Sequence, residues 1–121
     1  MDKVDIPNIV SGLLDIEANQ DQFKWEEFKD GIEIYRIYEE ENNGPSAALL
    51  RYTAGAIAPL HMHTGYEHIF VLSGTQTDGV NEYSKGMLMV SEPGSRHYIT
   101  SKEGCIVLAI WQNPVSFINP A

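Results

Sequence analysis

The sequence predicts an all-β fold, an antiparallel sandwich or barrel. Two observations carry this: roughly eight to ten short runs rich in β-branched and aromatic residues, punctuated by turn dipeptides at regular spacing, and a helical pattern confined to one short N-terminal stretch. Ile6, Ile9, Val10, Leu13 and Leu14 fall on one helical face, with Pro7 tolerable in a first turn and Gly12 weakening the pattern. Residues 1–22 are therefore expected to form an arm, partly helical, and residues 23–121 the β domain.

From Lys24 the period changes. Lys24–Phe28 and Ile32–Tyr38 read as strands about an Asp30-Gly31 turn. Ile32 and Ile34 lie on one face of the second and Tyr35 and Ile37 on the other, so both faces should be covered. Glu39–Glu41 with the Asn42-Asn43-Gly44-Pro45 sequence reads as a solvated loop rather than a cation site. Ala47–Thr53 is the next strand, and its Arg51 either points inward toward a ligand carboxylate or sits salt-bridged at the surface. A strand His68–Leu72 follows, in which His68 is expected to be a core or interface residue. The Asp78-Gly79 turn marks a hairpin joining Gly74–Gly79 to Val80–Lys85. Met87 and Met89 share a face of the strand Met87–Val90, filling core gaps or lining a pocket. Pro93-Gly94 turns the chain into His97–Ile99, and Cys105–Gln112 is a buried strand in which the single cysteine reads as a small core residue. The tail, with Phe117 and Ile118, is expected to dock on the body.

The 121 residues suit one domain with a hydrophobic core. Eight basic against 17 acidic side chains give a net charge of −9, and the basic residues are scattered, so neither nucleic acid nor an anionic membrane is expected as a partner. One cysteine excludes an internal disulfide and points to a reducing cytoplasm, and no apolar run has the length of a membrane helix or signal peptide.

The chemistry is concentrated between Gly55 and Gly74. On an extended strand His61 and His63 project to the same side and Met62 to the other. A turn at Thr64-Gly65 brings the Glu67 carboxylate back to them, glycine accepting the backbone angles a tight turn needs. The candidate fourth ligand is His97, delivered by the Pro93-Gly94 turn. Imidazole nitrogens with a carboxylate oxygen suit a divalent Fe, Mn, Co, Ni or Zn ion.

The segment resembles the first cupin motif, G-x5-H-x-H-x3-E-x6-G, at Gly55, His61, His63, Glu67 and Gly74. Gly86, Gly94 and His97 match the second motif, G-x5-P-x-G-x2-H-x3-N; Glu92 stands in place of its proline, with Pro93 beside it, and Ser101 in place of its asparagine. The leading Gly-Ala, the PGSRH turn and the Gly-Cys after it are similar to ChrR-type cupin domains, which form the metal-binding half of an anti-sigma factor. The resemblance implies an antiparallel double-stranded β-helix, the cupin jelly-roll barrel, with a metal held by His61, His63, Glu67 and His97, and a homodimer. Two functions follow as expectations. One is a small metal-dependent enzyme, dioxygenase-like, acting on an oxygen-bearing small molecule such as a diketone, with Arg51, Tyr66, Tyr98, Trp111 and Gln112 as candidate substrate contacts. The other is a non-catalytic, ChrR-like sensing module, although residues 1–22 are too short for a helical sigma-binding domain.

Overall fold

The computed structural model describes residues 2–118. Ten strands make up the body: β1 Glu26–Lys29, β2 Ile32–Glu39, β3 Ser46–Tyr52, β4 Ala56–Met62, β5 Glu67–Thr77, β6 Glu82–Ser84, β7 Leu88–Ser91, β8 Arg96–Ser101, β9 Cys105–Trp111 and β10 Ser116–Phe117. All pair antiparallel in the order β1-β2-β3-β9-β5-β8-β4-β10, with β6 and β7 on β5. The strand β5 serves both walls of a jelly-roll barrel. Its first half lies between β7 and β9, and its second half pairs with β6 and touches β8. The irregularity between Val71 and Ser73 lets one strand change walls, because a bulge sharpens the local bend.

Two apolar layers hold the barrel. Inside, Ile32, Ile34, Leu50, Ile69, Val71 and Val107 face one another across the walls. Outside the β2-β3-β9-β5 wall, Ile16 of the arm and Phe23 just after it cover Leu49, Leu72 and Ile106, with Tyr35 and Ile37 against them. This explains why β2 and β3 carry large groups on both faces. Each such side chain removed from water contributes about 1.5–3 kcal/mol. Phe23 packs on Tyr35 at 5.0 Å between ring centroids.

Within the arm, the helical face expected over Ile6–Leu14 does not form. Residues 2–12 have no regular structure, and the helical part is one turn, α1, at Ile16–Asn19 between 3-10 turns at Leu13–Asp15 and Gln20–Gln22. Gly12 has φ +78, which ends any helix that Ile6–Val10 could propagate, and Ile6, Ile9 and Leu14 are exposed. Arg51 fastens this arm. Its guanidinium donates to Glu33 Oε1 at 2.8 Å and Gln20 Oε1 at 3.0 Å and stacks on Trp25 at 4.4 Å. It therefore lies on the outer face of β3, away from the barrel interior.

At the hairpin, Asp78 Oδ1 accepts from the Val80 and Asn81 amides, and the Tyr83 hydroxyl donates to Asp78 Oδ2. Of the two methionines, Met89 packs against the core and Met87 is exposed, its sulfur accepting from the Ser84 amide. Cys105 is buried. In the tail, β10 pairs with β4, setting Phe117 opposite His61, while the tail's last residues, 119–121, lie outside the described residues. Among the described residues no helix is long and apolar enough to cross a membrane.

Candidate metal centre

Antiparallel pairing of β4 with β8 sets His61 directly opposite His97. The ladder is irregular between Ala58 and His61, where Pro59 can donate no hydrogen bond. His63 follows the end of β4, buried on the same side as His61, while Met62 points outward. The predicted turn then returns the chain to Glu67 at the start of β5. Gly65 is needed there for a different reason from the one expected. Its φ is not positive; instead a Cβ would lie 2.5 Å from Asn113 Oδ1 and 3.1 Å from the Asn113 nitrogen, so glycine permits close approach to the end of β9.

The second delivery point is a type II turn, Glu92–Ser95, with proline at its second position and glycine at φ +88 at its third. The Ser95 amide donates to the Glu92 carbonyl at 3.1 Å, and the Gly94 amide to the His63 carbonyl at 2.7 Å. The turn that carries His97 is thus stapled to the segment carrying His63.

The ring centroid of His97 lies 4.6 Å from that of His61 and 4.5 Å from that of His63, all edge-on. Glu67 Oε1 lies 3.1 Å from His63 Nε2 and 3.7 Å from His97 Nε2. One donor atom from each of the four residues falls within 4.8 Å of all the others. Ligands at about 2.0–2.2 Å from a cation are separated by about 3 Å when adjacent and about 4.2 Å when opposite, so the set needs only small adjustments to hold one. His61, His63, Glu67 and His97 form a cluster able to bind a metal ion.

Two hydrogen bonds orient the imidazoles. His61 Nδ1 lies 2.8 Å from the Pro59 carbonyl, which can only accept, so the proton is on Nδ1 and Nε2 is left as a ligand. His63 Nδ1 lies 2.9 Å from Ser95 Oγ, whose own proton goes to the Glu92 carbonyl. His63 therefore also donates from Nδ1, and its Nε2 lone pair faces the Glu67 oxygen. Two acceptor atoms 3.1 Å apart repel unless a proton or a cation lies between them. Trp111 Nε1 donates to the other carboxylate oxygen, Glu67 Oε2, at 2.7 Å. Burial pushes His97 down to about 4 and lowers His61, so both are neutral and ready to ligate at neutral pH. Burial alone would raise Glu67, but a proton held between it and His63, the Trp111 N–H and the nearby His97 outweigh it and hold the carboxyl below its usual range.

An interior cavity of about 40 Å³ adjoins the cluster, touching His61, Glu67, His97 and Trp111. An outer cleft of about 440 Å³ shares Phe28, Trp111, Val115 and Phe117 with it and is rimmed by Glu39–Gly44. Of the five candidate substrate contacts only Trp111 reaches this space. Tyr98 and Tyr66 are exposed on outward faces, Gln112 accepts the Tyr66 amide proton through Oε1, and Arg51 is tied to the arm. Sequence reasoning missed Ser95, Tyr52, Gln76 and Phe117. Alternation along β3 could have found Tyr52, since it shares a face with Ala48 and Leu50.

A ten-strand jelly roll with three inward histidines and a glutamate defines a cupin-type barrel with a candidate metal centre. The chain belongs to the ChrR cupin-like domain family, whose model matches residues 15–115. A comparison with curated protein sequences finds no match. Among solved structures it is similar to a candidate acetylacetone dioxygenase from Methylibium petroleiphilum PM1, with a TM-score of 0.77 and 18% identity over 99% of this chain and 87% of that one. A chain of the Rhodobacter sphaeroides SigE complex with the anti-sigma ChrR gives a TM-score of 0.66 and 22% identity over 75% of this chain and 49% of that one. A cupin-like protein from Ralstonia eutropha JMP134 gives 0.68 and 20% over 74% and 59%. The chain spans about half to three fifths of these last two. At such identities the likeness shows the fold.

Proposed function

We propose that His61, His63, Glu67 and His97 hold a divalent Fe, Mn, Ni, Co or Zn ion and that the chain is a small metal-dependent enzyme, dioxygenase-like, acting on an oxygen-bearing small molecule. The carrying observation is the buried pair of acceptors, His63 Nε2 and Glu67 Oε1, set 3.1 Å apart with two further nitrogens turned to the same point. A bound six-coordinate ion would keep two positions free to polarise a chelating substrate and oxygen. The chain's own part is orientation and exclusion of water. Pro59 and Ser95 fix the two Nδ1 protons, Trp111 turns the carboxylate, and Phe28 and Phe117 wall the cavity. The similarity to a candidate acetylacetone dioxygenase supports a diketone as the first substrate to try.

The match to the ChrR family favours a second reading, a sensing module, in which four ligands close the shell of a tetrahedral Zn ion. The same proposal takes the chain as a cytoplasmic homodimer with an arm over residues 1–22. Its support is the single cysteine and the exposed Ile6, Ile9 and Leu14.

Elemental analysis of purified protein tests the site, with about one metal per chain expected and a large loss in His61→Ala and Glu67→Ala. Unchanged stoichiometry in both variants removes the reading. X-ray absorption then separates the two functions: open positions with oxygen uptake on a 2,4-diketone support the enzyme, and a closed four-ligand shell supports the sensor.

A further inference from the structure

The far side of the interior cavity carries polar groups that the metal cluster does not use. Tyr52 of β3 and Gln76 of β5 both line it, with 7% and 3% of their surface exposed. Among the described residues the Tyr52 hydroxyl takes part in no hydrogen bond, and the Gln76 amide reaches only the Cys105 sulfur, at 3.7 Å, a weak acceptor. The Gln76 carbonyl oxygen is likewise unpaired. Yet among the described residues no sealed side-chain nitrogen or oxygen lacks a partner. The free Tyr52 and Gln76 atoms therefore face open space. Tyr52 also borders an outer cleft beside Arg51 and Gly104, but its side chain packs with Ala48 and Leu50 in the interior layer, and the space both residues line is the cavity next to the metal cluster. Burial, and after it the nearness of Cys105 and Glu67, pushes the Tyr52 hydroxyl well up, so it remains a protonated donor.

The other walls are apolar, among them Leu50, Ile69, Ile99 and Val107. Among the described residues no lysine or arginine lines the interior; the Lys29 ammonium lies 4.0 Å from the Phe117 ring centroid, with that ring among the cavity walls. The one guanidinium of the outer cleft, Arg36, is paired with Glu39 at 3.3 Å, and Glu40 and Glu41 stand beside it. A ligand entering past this rim meets negative charge. An anionic group carried beyond the metal would be stripped of water with no counter-charge to receive it.

We propose that Tyr52 and Gln76 form the polar end of the pocket and select an uncharged, oxygen-bearing small molecule whose chelating end meets the metal cluster. The phenol and the amide N–H donate to a hydroxyl oxygen or to the second lone pair of a carbonyl oxygen at the chelating end, as in a simple diketone, and the amide carbonyl accepts from a hydroxyl where the ligand has one. At roughly 10–15 Å³ per water-sized site, 40 Å³ holds about three such sites, so only a few heavy atoms fit inside and the rest of the ligand extends past Trp111 toward the cleft. The proposal rests on the metal reading above.

The test loads the full chain with Co(II) and follows its visible absorption during titration with two probes of similar size. Acetylacetone is uncharged in solution and would give up its central proton to solvent only on chelating the cobalt; acetoacetate has a carboxylate in place of one acetyl group and arrives as an anion. Acetylacetone should bind at least about tenfold more tightly. Tyr52→Phe and Gln76→Leu, each near-isosteric, should weaken acetylacetone about five- to tenfold, the worth of one hydrogen bond, while cobalt content and melting temperature stay close to wild type. Acetoacetate binding as well as acetylacetone, neither probe binding the cobalt protein, or acetylacetone binding both variants unchanged would each overturn the proposal. The last result would mean that the two side chains face only bound water. A chain that takes up no cobalt sinks the metal reading and this one together, whereas cobalt uptake without probe selectivity sinks this one alone.

Discussion

Replacing Trp111 by phenylalanine removes one N–H and keeps an aromatic ring. That N–H reaches Glu67 Oε2 at 2.7 Å, and Glu67 is buried, so the loss leaves a charged acceptor short of a partner in a place water hardly reaches. A hydrogen bond to a charged group contributes about 1.5–3 kcal/mol. Independently, loss of a partner that orients a metal ligand costs about 10–100-fold in metal affinity, which is about 1.4–2.8 kcal/mol. The two routes agree. Trp111→Phe should therefore bind Co(II) or Zn(II) about 10–100-fold more weakly than wild type, read by competition against a chromophoric chelator at fixed pH. Trp25→Phe is the control. It also loses an indole hydrogen bond, to the Gln20 carbonyl at 2.8 Å, but in the arm, so it should lower stability and leave metal affinity intact. An affinity for Trp111→Phe within twofold of wild type, or an equal loss in Trp25→Phe, refutes the reasoning.

Other consequences are accessible to simple measurements. Ser95→Ala deprives the buried His63 Nδ1–H of its acceptor and should cost about 1–3 kcal/mol of stability in urea melts, with metal affinity falling alongside; Ser95→Thr should restore most of both. Gly65→Ala forces a Cβ against Asn113 and should cost about 1–3 kcal/mol, and an unchanged urea midpoint would show that the turn yields freely. Acid should unfold the metal-free protein early. The folded state holds His97 at about 4 against an ordinary 6.5, so it rejects a proton that the unfolded chain accepts. Stability is then full above pH 6.5 and falls by about 1–2 kcal/mol as the pH drops toward 4, solvent screening of the partly exposed ring trimming the full effect. The downward shifts of His61 and Glu67 act in the same direction. Equal urea midpoints at pH 7 and pH 4.5 would contradict this.

The ligand cluster was legible because strand parity and turn chemistry are local. His61 and His63 alternate about Met62, and Pro93-Gly94 supplies the type II geometry that returns His97. The barrel was legible for the same reason, from short alternating runs between turns. Parity also places Tyr98 opposite to its neighbours His97 and Ile99, so its outward position was readable in principle. What proximity in sequence cannot show is which face of one strand meets another. Arg51 and Tyr52 are adjacent and alternation puts them on opposite faces, but which of the two faces the cavity is decided by how β3, between β2 and β9, curls into the barrel wall. Gln76 was hidden by its setting. It sits among polar hairpin residues, and only the change of walls along β5 turns it into the interior. The helical spacing of Ile6–Leu14 did not become a helix, because one left-handed glycine, Gly12, outweighs an apolar periodicity of only a few residues.

The face-to-face placement of His61 and His97 has a mechanical consequence for a polypeptide that owns one cysteine. An ion gripped by both would fasten neighbouring strands drawn from remote parts of the chain, as a disulfide would, but with a grip that competing chelators could release. Occupancy would then set how stable the barrel is, adding stabilisation that grows with the logarithm of free metal above its dissociation constant. The durability of this molecule would be set by the supply of its ion as much as by its own sequence.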